Sequence, residues 1–255
     1  MQRVELGQSG LRVSRLSIGT GTQGWGGRSN QTALGLQGLA DLLRFAYDHG
    51  VTFWDSADQY GSHPHVKLAL QGVPRETVVI TTKTVSRTGK EVEADVKRFL
   101  KEIGTDYVDI VLLHCLTNHD WPRRYPDAME ALVRCKEQGL ICAHGVSCHD
   151  FGAFQTAAMT EWVEVVLARI NYAGVSMDAS PPDVIRVMQQ MAALGKGIYG
   201  MKVLGQGKLA KSDSPKSAIE FVMNLSCVHA MTIGMTSQRE VSENIAIVNE
   251  LTGNA

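Results

Sequence analysis

An aspartate, a tyrosine, a lysine and a histidine stand at or just past the ends of three short apolar runs in this sequence. Asp55 closes VTFWD and Tyr60 follows in SADQYG; Lys83 closes TVVITTK and His114 closes YVDIVLLH. A free phenol has a pKa near 10 and gives up its proton reluctantly at neutral pH. An adjacent ammonium favours the phenolate and typically moves such a pKa by ~1–3 units. Lys83 is therefore expected to lower the pKa of Tyr60. The lysine must stay charged in a partly dry cavity, and Asp55 is its counter-ion. His114 would hydrogen-bond a carbonyl oxygen beside the phenol and orient it. The set is suited to protonating an oxygen on which negative charge develops as hydride reaches carbon.

Each residue alone has a plainer explanation. A strand-end Asp commonly caps a helix. The Lys would be a solvated strand end, the Tyr a turn residue and the His a hydrogen-bonded core residue. Their order along successive strands argues for one shared mouth, as in a barrel whose active site gathers where strands end.

The elements needed to position them repeat along the chain. VELGQSGLRVSRL suggests a hairpin turning at Ser9-Gly10. Strands are expected at 15–19, 51–55, 77–83, 107–114, 141–147, 162–171, 197–203 and 229–234. Helices are expected at 32–48, 65–70, 91–103, 127–138, 151–159 and 181–194, another opening at Pro215, and a last one capped by Ser237 and running to Leu251. Leu39, Leu42, Leu43 and Ala46 recur at helical spacing, as do Val92, Val96, Phe99 and Ile103. Strands without clean alternation suit a parallel sheet covered on both faces. Gly19, Gly21 and Gly24 spell G-x-G-x-x-G. No acidic residue at the right distance closes a following strand, so a Rossmann domain is the poorer reading. The expected fold is a (β/α)8 TIM barrel spanning residues 1–255 as a single domain, with a short N-terminal β-hairpin and an abbreviated C-terminus.

Composition agrees and excludes other classes. A chain of 255 residues matches the roughly 250 of such a barrel. A formal net charge of -1 gives no basic surface for nucleic acid. No apolar stretch approaches the ~20 residues of a membrane span. Cys115, Cys135, Cys142, Cys148 and Cys227 form no CxxC pair, so neither a disulfide framework nor a zinc ribbon is expected and a reducing cytoplasm is the natural compartment.

Taken together, LRVSRLSIGTGT, FWDSADQYGS, VVITTK, DIVLLH, GVS and the closing SEN resemble the aldo-keto reductases, in order and over essentially the whole chain. The resemblance implies reduction of a small-molecule aldehyde or ketone to an alcohol by NADPH, or less often NADH, without a metal. It implies Tyr60 as general acid, Lys83 tuning it, Asp55 pairing with Lys83, and His114 positioning the carbonyl. On the cofactor side it implies contacts from Gly21 and Thr22, and from Ser147 to the nicotinamide carboxamide. Lys202, Val203, Leu204, Gly205, Gln206 and Gly207 would wrap the pyrophosphate. Gly234, Met235, Thr236, Arg239, Glu243 and Asn244 would take the adenosine end, Arg239 favouring a 2′-phosphate.

Three positions depart from the family pattern around the nicotinamide. Cys148 stands for the usual Asn, Arg169 for the usual Gln and Met201 for the stacking aromatic. Arg169 brings a charge that either Asp178 or Glu164 would neutralise. Trp25, Trp54 and Trp121 are expected at the barrel mouth as an apolar substrate wall. The chain stops at Ala255, where many relatives carry a tail over the substrate; an open, shallow site is the expectation. Two rivals remain. One is a metal-dependent hydrolase using His63, His65, His114, His144 and His149, against which the loop placement of His63 and His65 speaks. The other is a catalytically weak relative that senses nucleotide.

Overall fold

Ten strands and nine α-helices are present among the residues described by this computed structural model, which are 1–210 and 215–253. The strands are β1 (Arg3–Glu5), β2 (Arg12–Ser14), β3 (Leu16–Gly19), β4 (Phe53–Asp55), β5 (Val79–Thr84), β6 (Val108–Leu116), β7 (Ile141–Cys148), β8 (Val165–Arg169), β9 (Gly197–Met201) and β10 (Ala230–Gly234). The helices are α1 (Gly35–Asp48), α2 (His63–Ala69), α3 (Gly89–Ile103), α4 (Trp121–Arg124), α5 (Pro126–Glu137), α6 (Phe151–Met159), α7 (Pro181–Ala193), α8 (Pro215–Met223) and α9 (Gln238–Leu251). Strands β3 to β10 pair in parallel and close into a barrel, β10 hydrogen-bonding back to β3. This is the (β/α)8 fold expected from the sequence.

The closed sheet has two faces, and the period-2 alternation of a strand decides which face a residue takes. Phe53, Val79, Ile110, Leu112, Val165, Leu167 and Tyr199 fill the interior together with Leu6 and Val13 of the N-terminal hairpin. The antiparallel pair β1–β2 thus stoppers one end. Gly7 has φ of +57°, and a Cβ there would come within 2.5 Å of the backbone of Gly197, so the hairpin seats directly on the start of β9. Trp54, Ile80, Val111, Leu113 and Val146 take the outer face, under the helices.

The helix ends are capped by side chains and by glycine. Thr88 accepts a hydrogen bond from the Glu91 amide at the start of α3, and Gly104, at φ 73°, ends it. Its buried face is Val92, Val96, Phe99 and Ile103. Ser237 caps α9 in the same way, accepting from the Glu240 amide. Such caps satisfy amides that lack an intrahelical partner.

Departures are local. Thr32–Leu34 form a 3-10 turn before α1. The one-turn helix α4 was not expected, because four residues carry no amphipathic period. His63 and His65 are not solvated loop residues: α2 begins at His63, and both are buried. Nδ1 of His63 lies 2.7 Å from Glu102 on α3 and Nε2 lies 2.7 Å from Thr82 on β5, so the ring pins α2 to its neighbours. Residues 211–214 and the C-terminal 254–255, including Ala255, lie outside the described residues. Among those described, no helix is long and apolar enough to cross a membrane.

Candidate active site

The rim of the barrel is set by register. Gly234, Gly19, Asp55 and Thr81 pair across four consecutive strands. Asp55, the last residue of β4, points into the barrel, where it meets Tyr199. Its Oδ2 accepts from Lys83 Nζ at 2.9 Å and its Oδ1 from the Tyr199 hydroxyl at 2.9 Å. Lys83 also donates to the Ser56 carbonyl at 2.6 Å and is fully buried. A buried ion pair holds its charge only where extra hydrogen bonds replace lost water; here each partner has one. Tyr199 was missed in the sequence, since a tyrosine inside GIYGM reads as core.

Tyr60 sits on the 3-10 turn Asp58–Tyr60, which Gly61 ends at φ 65°. Its ring is held between loop and strand. A Cβ on Gly21 would come within 2.1 Å of that ring, and one on Gly24 within 2.5 Å. The two glycines of the loop after β3 thus let the backbone close over the phenol. Lys83 Nζ lies 4.9 Å from the ring centroid. The hydroxyl lies 3.5 Å from Nε2 of His114, whose ring stands edge-on to it at 83°.

The electrostatics correct one expectation. Burial, and then the charge of Asp55, raise the Tyr60 hydroxyl well above its usual pKa. Lys83 is paired with Asp55 and lies over the ring face, and the hydroxyl stays raised. Burial also lowers the ammonium of Lys83 against the opposing pull of Asp55. His114 is pushed down to about 2, first by burial and then by Lys83. At neutral pH the centre holds a protonated phenol beside a neutral imidazole.

A cavity of about 440 Å3 opens from Tyr60 and Asp55 and runs along the rim towards α9. Of the residues assigned to the cofactor, Gly21, Thr22, Asp55, Met201, Lys202, Val203, Leu204, Gln206, Gly207, Gly234, Met235, Thr236, Arg239, Glu243 and Asn244 line it. Gly205 is buried just behind the loop. Ser147 shares the inner face with Leu167, its register partner, which does line the cavity. The Ser147 hydroxyl finds no hydrogen-bond partner among the described residues, so it has a free donor to offer a carboxamide.

Besides Gly205 and Ser147, two further cofactor assignments are absent from the cavity wall. Cys148 follows inward Ser147 and so turns outward into the core, its thiol pushed up by burial. Arg169 lines a separate small cavity with Cys148, and Asp178, not Glu164, binds its guanidinium at 2.7 Å. Glu164 instead pairs with Lys136 and accepts from the His144 amide. Two of the three tryptophans are also misplaced by the sequence reading. Trp54 alternates with inward Phe53 and Asp55, so it faces out and donates to the Val51 carbonyl. Trp121 is equally buried, donating to the Ala153 carbonyl. Trp25 alone of the three is exposed, at 57%, with its ring 6.4 Å from that of His114.

Sequence reading also missed polar residues of the cavity wall. Gln31 bonds the Thr22 amide at 2.8 Å and the Thr22 hydroxyl at 3.0 Å, fixing the loop after β3. Thr232 lines the cavity from inside β10; a polar residue amid the apolar part of HAMTIG was its only signal. Glu240 lines the outer end, its carboxylate accepting from the Thr236 amide at 2.6 Å.

The family profile described as the Aldo/keto reductase family matches residues 16–252. The chain belongs to that family. It is an NAD(P)H-dependent oxidoreductase by membership, of a kind that reduces carbonyl groups. The reductase is 24% identical to the aldo-keto reductase AMT2 of Alternaria alternata, a match over 84% of this chain and 67% of that protein. In structure it resembles the aldo-keto reductase AKR11C1 of Bacillus halodurans in its holo form, with a TM-score of 0.78, 19% identity and coverage of 97% and 90% of the two chains. It resembles likewise the Bombyx mori aldo-keto reductase AKR2E4 in complex with NADP, with a TM-score of 0.74, 16% identity and coverage of 99% and 91%.

Proposed function

We propose that this reductase converts a small aldehyde or ketone to the alcohol with NADPH, Tyr60 supplying the proton. One observation carries the reading: a neutral, buried phenol stands at the inner end of the cavity, 3.5 Å from a neutral His114. The free hydroxyl of Ser147 fits a carboxamide, and the crossing of Gly21 over Tyr60 leaves room along the rim. Bound there, NADPH would supply hydride to the carbonyl carbon. Ser147, Lys202, Gln206, Thr236 and Asn244 would hold it.

The chain's own groups complete the chemistry. The substrate oxygen would rest against the Tyr60 hydroxyl and Nε2 of His114. As charge develops on that oxygen, the Tyr60 O–H bond breaks and the proton moves to it. A phenolate remains, and Lys83 stabilises that anion once it forms, which is when a nearby cation has most effect. Asp55 and Tyr199 keep the ammonium in place. Trp25 contributes an apolar wall to the substrate. Membership in the family favours turnover over a purely sensing role.

The decisive experiment is Tyr60→Phe. Reduction across a carbonyl panel should fall by about 10^2–10^4, while nucleotide affinity, followed by tryptophan fluorescence, stays within about twofold. A Phe variant as active as the parent would refute Tyr60 as the acid.

A further inference from the structure

The end of β6 is irregular. Its register with β7 slips between Leu113 and Leu116, and Cys115 within that slip has φ of 57°. A side chain rarely adopts that left-handed region, and such outliers cluster at functional sites. The turn directs the Cys115 thiol at His149, with Sγ 3.7 Å from Nε2. His149 is itself fixed by its amide, which donates to the Leu116 carbonyl at 2.8 Å. The ring of His114, the preceding residue, stands edge-on to that of His149, with centroids 6.1 Å apart. One donor atom from each of His114, Cys115 and His149 lies within 4.8 Å of the others. Nδ1 of His114 is buried with no partner among the described residues. The proton-delivery chemistry uses neither Cys115 nor His149.

Two imidazoles and a thiolate around one point are the ligand chemistry of zinc, which takes three protein ligands and leaves a fourth position open. We propose that His114, Cys115 and His149 form a reversible Zn2+ site beside Tyr60, and that its occupation stops carbonyl reduction. Binding exchanges the thiol proton for the metal: the S–H bond breaks, the S–Zn bond forms, and one proton leaves to solvent. The two imidazoles each give a lone pair. An ion there draws on a lone pair of the His114 ring that would otherwise orient the substrate, and puts charge next to the phenol.

Nearby cations set the strength. Lys83 and Arg169 are matched by Asp55 and Asp178. Arg87 is spent on backbone carbonyls, including that of His114. Lys202 lines the cavity close by. Burial raises the Cys115 thiol more than these cations lower it, and the cations oppose the dication, so the site is one that a chelator empties.

The binding half stands independently of the proposed function; the inhibitory half rests on it. Cofactor-free protein would be titrated with Zn2+ against a chromophoric chelator, and with Co2+ to read thiolate-to-metal charge transfer. One equivalent should bind with release of about one proton. Cys115→Ser should abolish the charge-transfer band, and Cys115→Ser and His149→Gln should each weaken Zn2+ at least about tenfold. No stoichiometric uptake by the parent protein would overturn the site. So would affinity unchanged in both variants, which would move the ion to Asp58, His63 and Glu102, the other such cluster among the described residues. Zn2+ should suppress turnover of the parent protein and EDTA restore it. Full turnover at saturating zinc would remove the inhibitory half. Absence of any carbonyl reduction would refute the proposed function and leave the zinc titration to be decided on its own result.

Discussion

The two ends of the cavity are built on different principles. At the inner end, Asp55, Lys83 and Tyr199 share three strands, all are buried, and each polar group has a named partner. At the outer end, Arg239 and Glu243 face each other at 3.7 Å with side chains 82% and 59% exposed. The inner end is fixed by the sheet and by hydrogen bonds between buried groups. The outer end is fixed by one helix terminus and a few solvated charges, which contribute little individually. Chemistry belongs where positions are over-determined; nucleotide discrimination can be left to the softer end.

The comparison is broken most severely by disturbing the inner pair. Asp55→Asn leaves Lys83 buried without its counter-charge, which typically costs about 3–5 kcal/mol of stability. Urea unfolding should show that loss, and turnover should fall with it. Unchanged stability would mean that the pair is not the keystone of the inner end. Tyr199→Phe is milder, removing one hydrogen bond to a charged group, worth about 1.5–3 kcal/mol. It should lower stability and turnover while leaving nucleotide affinity alone. A loss confined to nucleotide binding would shift Tyr199 to the other end of the comparison.

Acid should act first on the buried histidines. His114, His144 and His149 are pushed down to about 2, about 4 and about 3, burial being the largest cause in each. A free imidazole titrates near 6.5. Between these values the unfolded chain binds protons that the fold excludes, so stability is intact above pH 6.5 and is lost as pH falls. Each buried histidine contributes at most about 1.4 kcal/mol per pH unit. Denaturant midpoints measured at pH 7.5 and 5.0 should differ, and His144→Phe, which preserves the stack on Trp162 (4.4 Å, 11°), should shrink the difference. A flat profile would contradict neutral burial.

This division also explains what the sequence made legible. Asp55, Tyr60, Lys83 and His114 could be found because strand ends of a barrel converge, whatever the side-chain details. The Gly-rich loops likewise pointed to the cavity wall. Trp54 was misassigned because its strand was read as apolar throughout, when its neighbours Phe53 and Asp55 face in and force it out. Cys148 failed for the same reason, one residue past inward Ser147. The partner of Arg169 was undecidable from spacing, since Asp178 and Glu164 both lay near; the chain path after β8 decided for Asp178. Tyr199 carried no polar signal at all.

The smallest effects sharpen the outer end. Arg239 lines the cavity but is largely solvated, so Arg239→Ala should weaken NADPH more than NADH by no more than about fivefold, the ~1 kcal/mol that an exposed charge contributes. Glu240 has the opposite sign. Its carboxylate sits on the Thr236 amide, at the helix terminus whose amides and dipole favour an anion. A 2′-phosphate arriving there meets like charge, whereas a ribose hydroxyl meets an acceptor. Glu240→Gln should therefore improve NADPH affinity and leave NADH nearly unchanged or slightly weaker. Paired fluorescence titrations with both nucleotides decide this: parallel shifts in the two variants would show that neither residue contacts the 2′ position. Opposite shifts would show that a solvated cation and a helix-bound carboxylate divide the choice of nucleotide between them.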